Sequence, residues 1–473
     1  MALSDDEAAT FNRLSGQMGR DRNPLLALDA YYEGIHRLET LGLAVPPELE
    51  RFITTVNWPR ITVDSVEQRC DIEGFRLAGS DDLDDDLWAI WQANGLDEES
   101  QQAHLDAMIF GRSYICIGSR SPEDPDPDMP LVTVESPLEV THEIDPRTRW
   151  VSAALRKTRT LQGQGPTAEY ATLYLPNETI WLERSGSTRG WAEVDRDEHR
   201  LGRVPVVPLV NRSRLKRRYG LSEMADVISL TDAACRALTN AQVATEVLAV
   251  PQRYVLGAAP KDFVDQDGNP VTQWETYFGA VWALQNNDAK VGQFDAADLK
   301  NFETIVNHYA NLASGVSGLP TRFYGQYTTN PPTEGSIVAD ETRLIMNAYR
   351  KHRTLGGSWE LGNRFVRRII DGVWRPELAR METVWRNPET PTRAQQADAV
   401  TKLASVQVNG KYLMPLEMAR EELGWSRAKR ERARQYDEES AESDPAVTAV
   451  RQATRTLTDL TSPSEPVRAD APA

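Results

Sequence analysis

Cysteine is scarce in this chain. Cys70, Cys116 and Cys235 are its three thiols, scattered over 473 residues with no CxxC pair, so neither a disulfide framework nor a zinc site is indicated. The six histidines are His36, His104, His142, His199, His308 and His352, and none sits in an HxxxH, HExxH or Cys/His arrangement. Metal chemistry therefore has little support, and structural or solvent-facing roles are expected of them. No apolar run approaches the ~20 residues that a bilayer span needs. The segment Met1-Ala-Leu-Ser-Asp-Asp-Glu7 is acidic and lacks the basic and apolar regions of a signal peptide, so the cytoplasm is the expected compartment. Lysine is rare as well, nine among 53 basic residues, which leaves arginine as the main cation.

The motifs of common enzymes are missing too. There is no GxxxxGK[ST] loop for a nucleotide phosphate, no GxSxG elbow and no GxGxxG after a strand. Gly315-Val-Ser-Gly318 has the wrong spacing for a nucleophile elbow and reads as a helix end. Acidic runs at Asp81-Asp82 with Asp84-Asp-Asp86, and from Glu123 to Asp128, lack the glycine and glutamate placement of a calcium loop and read as solvated. No catalytic residue, cofactor or metal site is expected. An active site assembled from distant residues stays open as an alternative.

What is present is a packable chain, 40% hydrophobic, carrying 70 acidic against 53 basic residues for a net charge of −17. That balance excludes a protein gripping nucleic acid over its whole surface, because such binding is largely electrostatic. It permits one that handles DNA without holding it. The one concentrated basic run, Arg212-Ser-Arg-Leu-Lys-Arg-Arg218, suits a subunit contact or a local salt bridge better than DNA.

Periodicity divides the chain. Asn23-Pro24 reads as the start of a helix with Leu26, Tyr31/Tyr32 and Ile35 in register. Asp84-Asp-Asp86 opens another, and Leu96-Asp97 a third that runs through Met108 to Gly111. Ser113–Gly118, Leu131–Val134, Trp150–Leu155 and Tyr170–Leu175 are strand-like. Val204–Val210 is extended and proline-broken, hence an edge strand or connector. From Ser222, apolar residues at helical spacing, including Val227, Ile228 and Leu238, continue to Pro251. An aromatic group follows (Trp274, Tyr277, Phe278 and Trp282), then a helix from Asp298. A polar, proline-containing loop spans Gly325–Gly335, and Ser336 opens a long helical pattern in which Gly356-Gly357 and Gly362 predict a kink. Thr392–Tyr436 is a smaller helical unit broken at Gly424. Beyond Asp437 the composition predicts disorder.

The order of these features resembles the portal proteins of tailed bacteriophages, the siphophage type of head–tail connector. The resemblance rests on Tyr31-Tyr-Glu-Gly-Ile35, Gly111-Arg-Ser-Tyr-Ile115, Tyr219-Gly-Leu-Ser-Glu-Met-Ala-Asp-Val-Ile-Ser-Leu-Thr-Asp-Ala233, Pro251–Gly257 and Ala313-Ser-Gly-Val-Ser-Gly-Leu-Pro320 with the loop and long helix after it. It implies an α+β, portal-like fold. An α+β wing would span 1–220, a first stem helix 221–249, a small α/β clip 250–297 and a second stem helix 298–317. The tunnel loop region would span 318–335, the long kinked helix with its return to the wing 336–390, a helical crown 391–436 and a disordered tail 437–473. It further implies a dodecameric homo-oligomer, a ring at one capsid vertex through which double-stranded DNA passes without sequence specificity. The terminase large subunit, a head–tail adaptor, and the major capsid and scaffolding proteins would be its partners, and no membrane is involved. Under this resemblance Tyr327, Thr328, Thr329 and Asn330 would face the channel. Val227, Ile228, Leu238, Trp274, Tyr277, Phe278 and Trp282 would form subunit contacts, with a local core as the alternative for the four aromatics. A different structural virion protein, an adaptor or a capsid-internal protein, is the remaining rival.

Overall fold

The computed structural model opens on a capping box. Ser4 Oγ accepts the Glu7 N–H while the Ser4 N–H donates to the Glu7 carboxylate at 2.7 Å, starting helix α1 (Asp5–Glu33). Arg196 hydrogen-bonds the same carboxylate at 2.7 Å and pulls its pKa down to about 2. Pro24, expected to begin a helix, lies inside this one. Upstream nucleation at Ser4 and burial of Phe11 and Leu14 outweigh the break a proline imposes, of order 3 kcal/mol. The residues described by the structure are 3–36, 54–77, 83–159, 168–185, 190–249, 253–257, 263–264, 283–284, 290–293, 300–326, 334–389, 393–408 and 410–443. They divide into two units, Met1–Pro388 and Glu389–Ala473.

In the first unit, α2 (Trp58–Glu67) is a helix with Pro59 in its first turn and Asn57 as its cap. β1 (Ile72–Leu77) follows, then α3 (Asp85–Ala93), capped by Asp84, and α4 (Leu96–Phe110). β2 (Arg112–Gly118) is the centre of a three-stranded antiparallel sheet between β3 (Leu131–Glu135) and a later strand. β4 (Val140–Ile144), β5 (Val151–Arg159), β6 (Ala168–Tyr174), β7 (Thr179–Ser185) and β8 (Ala192–Asp197) form an antiparallel meander in chain order. The later strand is β9 (Val206–Val210), which among the described residues pairs with β2 alone and so lies at an edge, where Pro208 is tolerated.

The meander is covered on both faces. Leu155, Leu173, Ile180 and Leu182 pack under Phe11 and Leu14 of α1. On the opposite face Ala154 and Tyr174 meet Tyr114, Cys116 and Val206 of the smaller sheet. The strand period of two sends alternate residues to opposite faces, which explains the split.

After β9, Ser222 caps a 3-10 turn (Glu223–Asp226), and α5 (Ile228–Ala249) begins beyond it. The helix expected from Ser222 therefore starts six residues later. β10 (Arg253–Leu256), β11 (Phe263–Val264), β12 (Ala283–Leu284) and β13 (Lys290–Gln293) form two antiparallel pairs, β10 with β13 and β11 with β12. α6 (Lys300–Ser317) packs against α5. α7 (Glu334–Asp371) is one continuous 38-residue α-helix. Gly356 and Gly362 lie within it as close-packing positions: a Cβ at Gly356 would approach Trp385 Nε1 to 3.1 Å, and one at Gly362 would touch Ile115. β14 (Met381–Trp385) returns to pair with β1. The main core gathers α2, α3, α4, α7 and β2 around Trp91, Met108, Ile115 and Trp359.

The second unit holds α8 (Arg393–Ser405), the hairpin of β15 (Gln407–Val408) with β16 (Lys411–Tyr412), α9 (Leu416–Glu422) and α10 (Arg427–Ser443). Gly424, with φ +68°, separates α9 from α10. Arg420 joins them by pairing with Glu417 and Asp437, each at 2.6 Å. α10 continues past Asp437, where disorder was expected, because Arg434 and Arg430 also pair back to α9.

Candidate subunit-facing helices and their anchor

Two glycine turns cross at the foot of α5. Gly111 (φ +90°) ends α4, and Gly220 (φ +79°) ends the arginine-rich turn after β9. A Cβ on Gly220 would stand 2.0 Å from the Gly111 carbonyl oxygen and 2.6 Å from that of Asn211. One on Gly111 would stand 2.8 Å from the Leu221 nitrogen. Left-handed backbone and lack of room both demand glycine. The crossing is sealed by Asn211 N–H donating to the Gly111 carbonyl at 2.9 Å and Leu221 N–H to that of Asn211 at 3.0 Å.

A buried charge sits directly behind it. Lys351 of α7 donates from Nζ to Glu223 Oε2 at 2.6 Å and to Asn211 Oδ1. Asn211 Nδ2 donates to the same carboxylate at 3.1 Å and to the Leu221 carbonyl at 2.9 Å. Asn347, one turn before Lys351, donates to Glu223 Oε1 at 2.9 Å. The side chains of Lys351 and Glu223 are only 5% and 8% exposed. Burial alone would push the Glu223 carboxyl up, but Lys351 and the two asparagine donors outweigh it and hold it below its ordinary value. The network ties the end of β9, the 3-10 turn before α5 and the middle of α7 into one joint.

The amino-terminal segment braces the same helix. Tyr31 donates from its hydroxyl to Asp232 at 3.0 Å, and the His36 ring stacks on Tyr31 with centroids 4.3 Å apart. Val56 N–H donates to Cys235 Sγ at 3.3 Å, and Thr54 N–H to Thr239 Oγ1 at 3.2 Å. Arg112 bonds Asp21 at 2.8 Å and lies over the Tyr219 ring, 5.3 Å from its centroid.

Among the residues that α6 leaves exposed is an apolar stripe. Val227 is fully enclosed by the chain's own core, Ile228 packs against that core partly buried, and Leu238 is half-buried. On α6, Ala310 and Ala313 are buried and Val306 and Tyr309 pack inward, whereas Ile305, Leu312 and Val316 are 43%, 42% and 49% exposed. Spacings of seven and four put these three on one stripe. Tyr327, Thr328, Thr329, Asn330, Trp274, Tyr277, Phe278 and Trp282 lie outside the described residues.

A sequence model described as "Phage portal protein, SPP1 Gp6-like" matches residues 13–446. The chain belongs to the phage portal protein family. Among curated relatives, the portal protein of Mycobacterium phage D29 is 39% identical over 445 residues, covering 93% of this chain and 90% of the relative. That of Mycobacterium phage L5 is 40% identical over 418 residues, covering 87% and 84%. Among solved structures, "Neck of native GTA particle computed with C12 symmetry" aligns at TM-score 0.42 and 13% identity over 80% of this chain and 92% of that one. "Neck of empty GTA particle computed with C6 symmetry" aligns at TM-score 0.44 and 14% identity, covering 81% and 94%.

Three of the segments that resemble portal proteins, Tyr31–Ile35, Gly111–Ile115 and Tyr219–Ala233, are thus brought together at the foot of α5. Sequence reasoning missed Asn211, Glu223, Asn347 and Lys351. A signal was there: Lys351, one of nine lysines, falls on the face of α7 that carries Leu344, Ala348 and Leu355, all buried. In the basic run, Arg212 pairs with Asp226 at 2.6 Å, while Arg214–Arg217 form an exposed turn. His104 is enclosed, accepts the Trp359 indole N–H at 2.9 Å and is pulled down to about 3 by burial; His142 behaves alike beside Tyr114. His308 is exposed on α6. Among the described residues no helix is long and apolar enough to cross a membrane, and no cluster of three or more His, Cys, Asp or Glu side chains could hold a metal ion.

Proposed function

We propose that this chain is the subunit of a closed, dodecameric portal ring at one capsid vertex, a virion component assembled in the host cytoplasm. The observation that carries the reading is family membership over residues 13–446, joined to a helix pair whose anchor is rigid and whose outer stripe is apolar. A neighbouring copy covering Ile305, Leu312 and Val316 would remove that stripe from water, and cyclic closure lets every subunit use the same two faces. In this reading 1–220 with 336–390 form the wing, 221–249 and 298–317 the stem, 250–297 the clip, 318–335 the tunnel loop region and 391–436 the crown. Ile228 and Leu238 would join the subunit contact, with Trp274, Tyr277, Phe278 and Trp282 in the clip.

The ring would act as conduit for double-stranded DNA during packaging and ejection and as docking platform for the terminase large subunit and then a head–tail adaptor. It would also nucleate procapsid assembly with major capsid and scaffolding proteins. Its role is structural, not catalytic. The net charge of −17 favours sliding over gripping, since a net-negative chain gains little from phosphate. Tyr327, Thr328, Thr329 and Asn330 would offer the duplex short polar contacts. Negative-stain imaging of the purified full chain tests the reading: closed rings with a central hole are expected, and a population without any would overturn it.

A further inference from the structure

The three-stranded sheet of the first unit carries opposite charge beyond its two ends. β2 is its central strand, with Gly118 paired to Leu131 of β3 at one end and Arg112 paired to Val210 of β9 at the other. The seven residues of β2 put those ends roughly 20 Å apart, at the strand's usual rise per residue. Past the Gly118 end runs the loop Glu123-Asp-Pro-Asp-Pro-Asp128, in which acids alternate with prolines. The prolines fix φ at 125 and 127, so the loop has little freedom to lose on contact. Asp124 accepts the Ser121 N–H at 3.2 Å. Glu123, Asp126 and Asp128 are exposed, and none of them is ion-paired among the described residues.

Past the Arg112 end, β9 leads into a cationic knuckle. Arg214 N–H donates to the Arg217 carbonyl at 2.9 Å and Arg217 N–H to that of Arg214 at 2.8 Å, closing a tight turn with Leu215 and Lys216 at its tip. Arg214, Lys216 and Arg217 are exposed, with no carboxylate at ion-pair distance among the described residues, whereas Arg212 before them is taken by Asp226. Leu215 is 87% exposed. An apolar tip among cations suits a protein surface that mixes acids with apolar rings better than a phosphate backbone, whose attraction is electrostatic. The knuckle and the acidic loop cannot meet within one chain, because the sheet holds them at opposite ends. Between copies they can meet head to tail, and a head-to-tail contact is the kind that a closed ring repeats.

We propose that the Arg214–Arg217 knuckle of one copy docks on the Glu123–Asp128 loop of the next, with Leu215 against Pro125 and Pro127 and the three cations facing Glu123, Asp126 and Asp128. The contact rests on the ring reading above and adds a charged, heterologous interface to the apolar stripe of α6. Single exposed ion pairs contribute little, and here three are grouped around an apolar tip. Their main effect is on register, since a copy docked out of place would set like charges against each other. Salt should weaken the contact, because both partners lie at the surface.

Arg214→Glu/Arg217→Glu and Asp126→Arg/Asp128→Arg each set like charges together at this contact. For each, the subunit concentration at which half the chains are in rings, read by sedimentation velocity, should rise about tenfold or more. All four substitutions in one chain restore opposite charges and should bring that concentration back close to the parent's. Carbodiimide coupling needs no variant. In rings assembled from isotope-labelled and unlabelled parent chains, mass spectrometry should find Lys216 joined to Glu123, Asp126 or Asp128 of another copy. Parent rings without that cross-link, reversal variants that assemble like the parent, or a fourfold variant that does not recover would overturn the contact and leave the ring reading standing. If Arg214→Glu/Arg217→Glu abolishes binding of a labelled DNA duplex with assembly unchanged, the knuckle belongs to phosphate and the contact is likewise overturned. A parent chain that forms no rings would overturn the ring reading and this contact together.

Discussion

Replacing Lys351 with methionine tests the joint that holds α5 to α7. The substitution preserves most of the side-chain volume and removes the cation paired with Glu223 in a site where both partners are over nine-tenths buried. Breaking a buried pair from one side typically costs about 3–5 kcal/mol. The structure narrows that range. Glu223 keeps the Asn211 and Asn347 donors, and it has an escape in taking up a proton. At pH 7, neutralising a carboxyl of ordinary pKa near 4.5 costs about 3.4 kcal/mol, so the loss cannot greatly exceed that figure. We expect Lys351→Met to lose about 3–4 kcal/mol at pH 7, read from the denaturant dependence of tryptophan fluorescence and circular dichroism. The deficit should shrink to about 1 kcal/mol near pH 5, where the stranded carboxyl protonates cheaply. In the parent chain the sign is opposite: the depressed Glu223 pKa contributes stability above the unfolded value, lost as pH falls through the folded one. The double variant Lys351→Met/Glu223→Gln should recover much of the loss. A deficit under 1 kcal/mol at pH 7, or one that does not change at pH 5, would refute the reasoning.

Gly220→Ala should destabilise the chain by more than about 3 kcal/mol, because its Cβ has no place to go beside the Gly111 carbonyl; thermal denaturation of the variant checks it. Leu312→Asp or Ile305→Asp should leave the circular dichroism spectrum intact and abolish rings in negative stain, whereas Val227→Asp should prevent folding itself; normal rings from Leu312→Asp would remove α6 from the subunit contact. Glu67 is pushed up to about 7, first by burial and then by Asp71 and Asp64. The folded state therefore keeps this proton longer than the unfolded chain, and stability falls as pH rises from about 4.5 to 7. Glu67→Gln should add stability on the order of 3 kcal/mol at pH 8 and almost none at pH 4, measured by denaturant titration at both values.

The elements legible in the sequence are those where local preference and tertiary burial agree. Ser113–Gly118 alternates nothing and is β-rich, and it becomes the doubly covered β2; Leu96 with its acidic first turn opens α4 as read. Pro208 correctly places β9 at an edge. The reading failed where a strong local signal was overruled at a distance. Pro24 looked like a start only because the capping box at Ser4 lay twenty residues upstream. Ile61, Thr62, Val63 and Val66 carry β-branched side chains, yet they lie on α2, whose buried face packs against α4 and α7. The glycines of α7 also admit Trp385 and Ile115 at close range, a packing role that the sequence reading did not give them. The anchor was invisible for another reason. Asn211, Glu223 and Lys351 are polar residues separated by up to 140 positions, and no periodic pattern marks polar atoms that find one another only after the chain has folded.

The joint at Glu223 also has a mechanical character. Apolar side chains slide past one another with little change in energy, and a helix resting on them could creep along its axis under load. A buried ion pair with three further hydrogen bonds has one good geometry and a steep loss on either side of it. Force applied to α5 is therefore delivered to the midpoint of α7 with no slack, up to a threshold at which the whole contact releases at once. The connection works as a detent, and motion of the helix pair would come in steps.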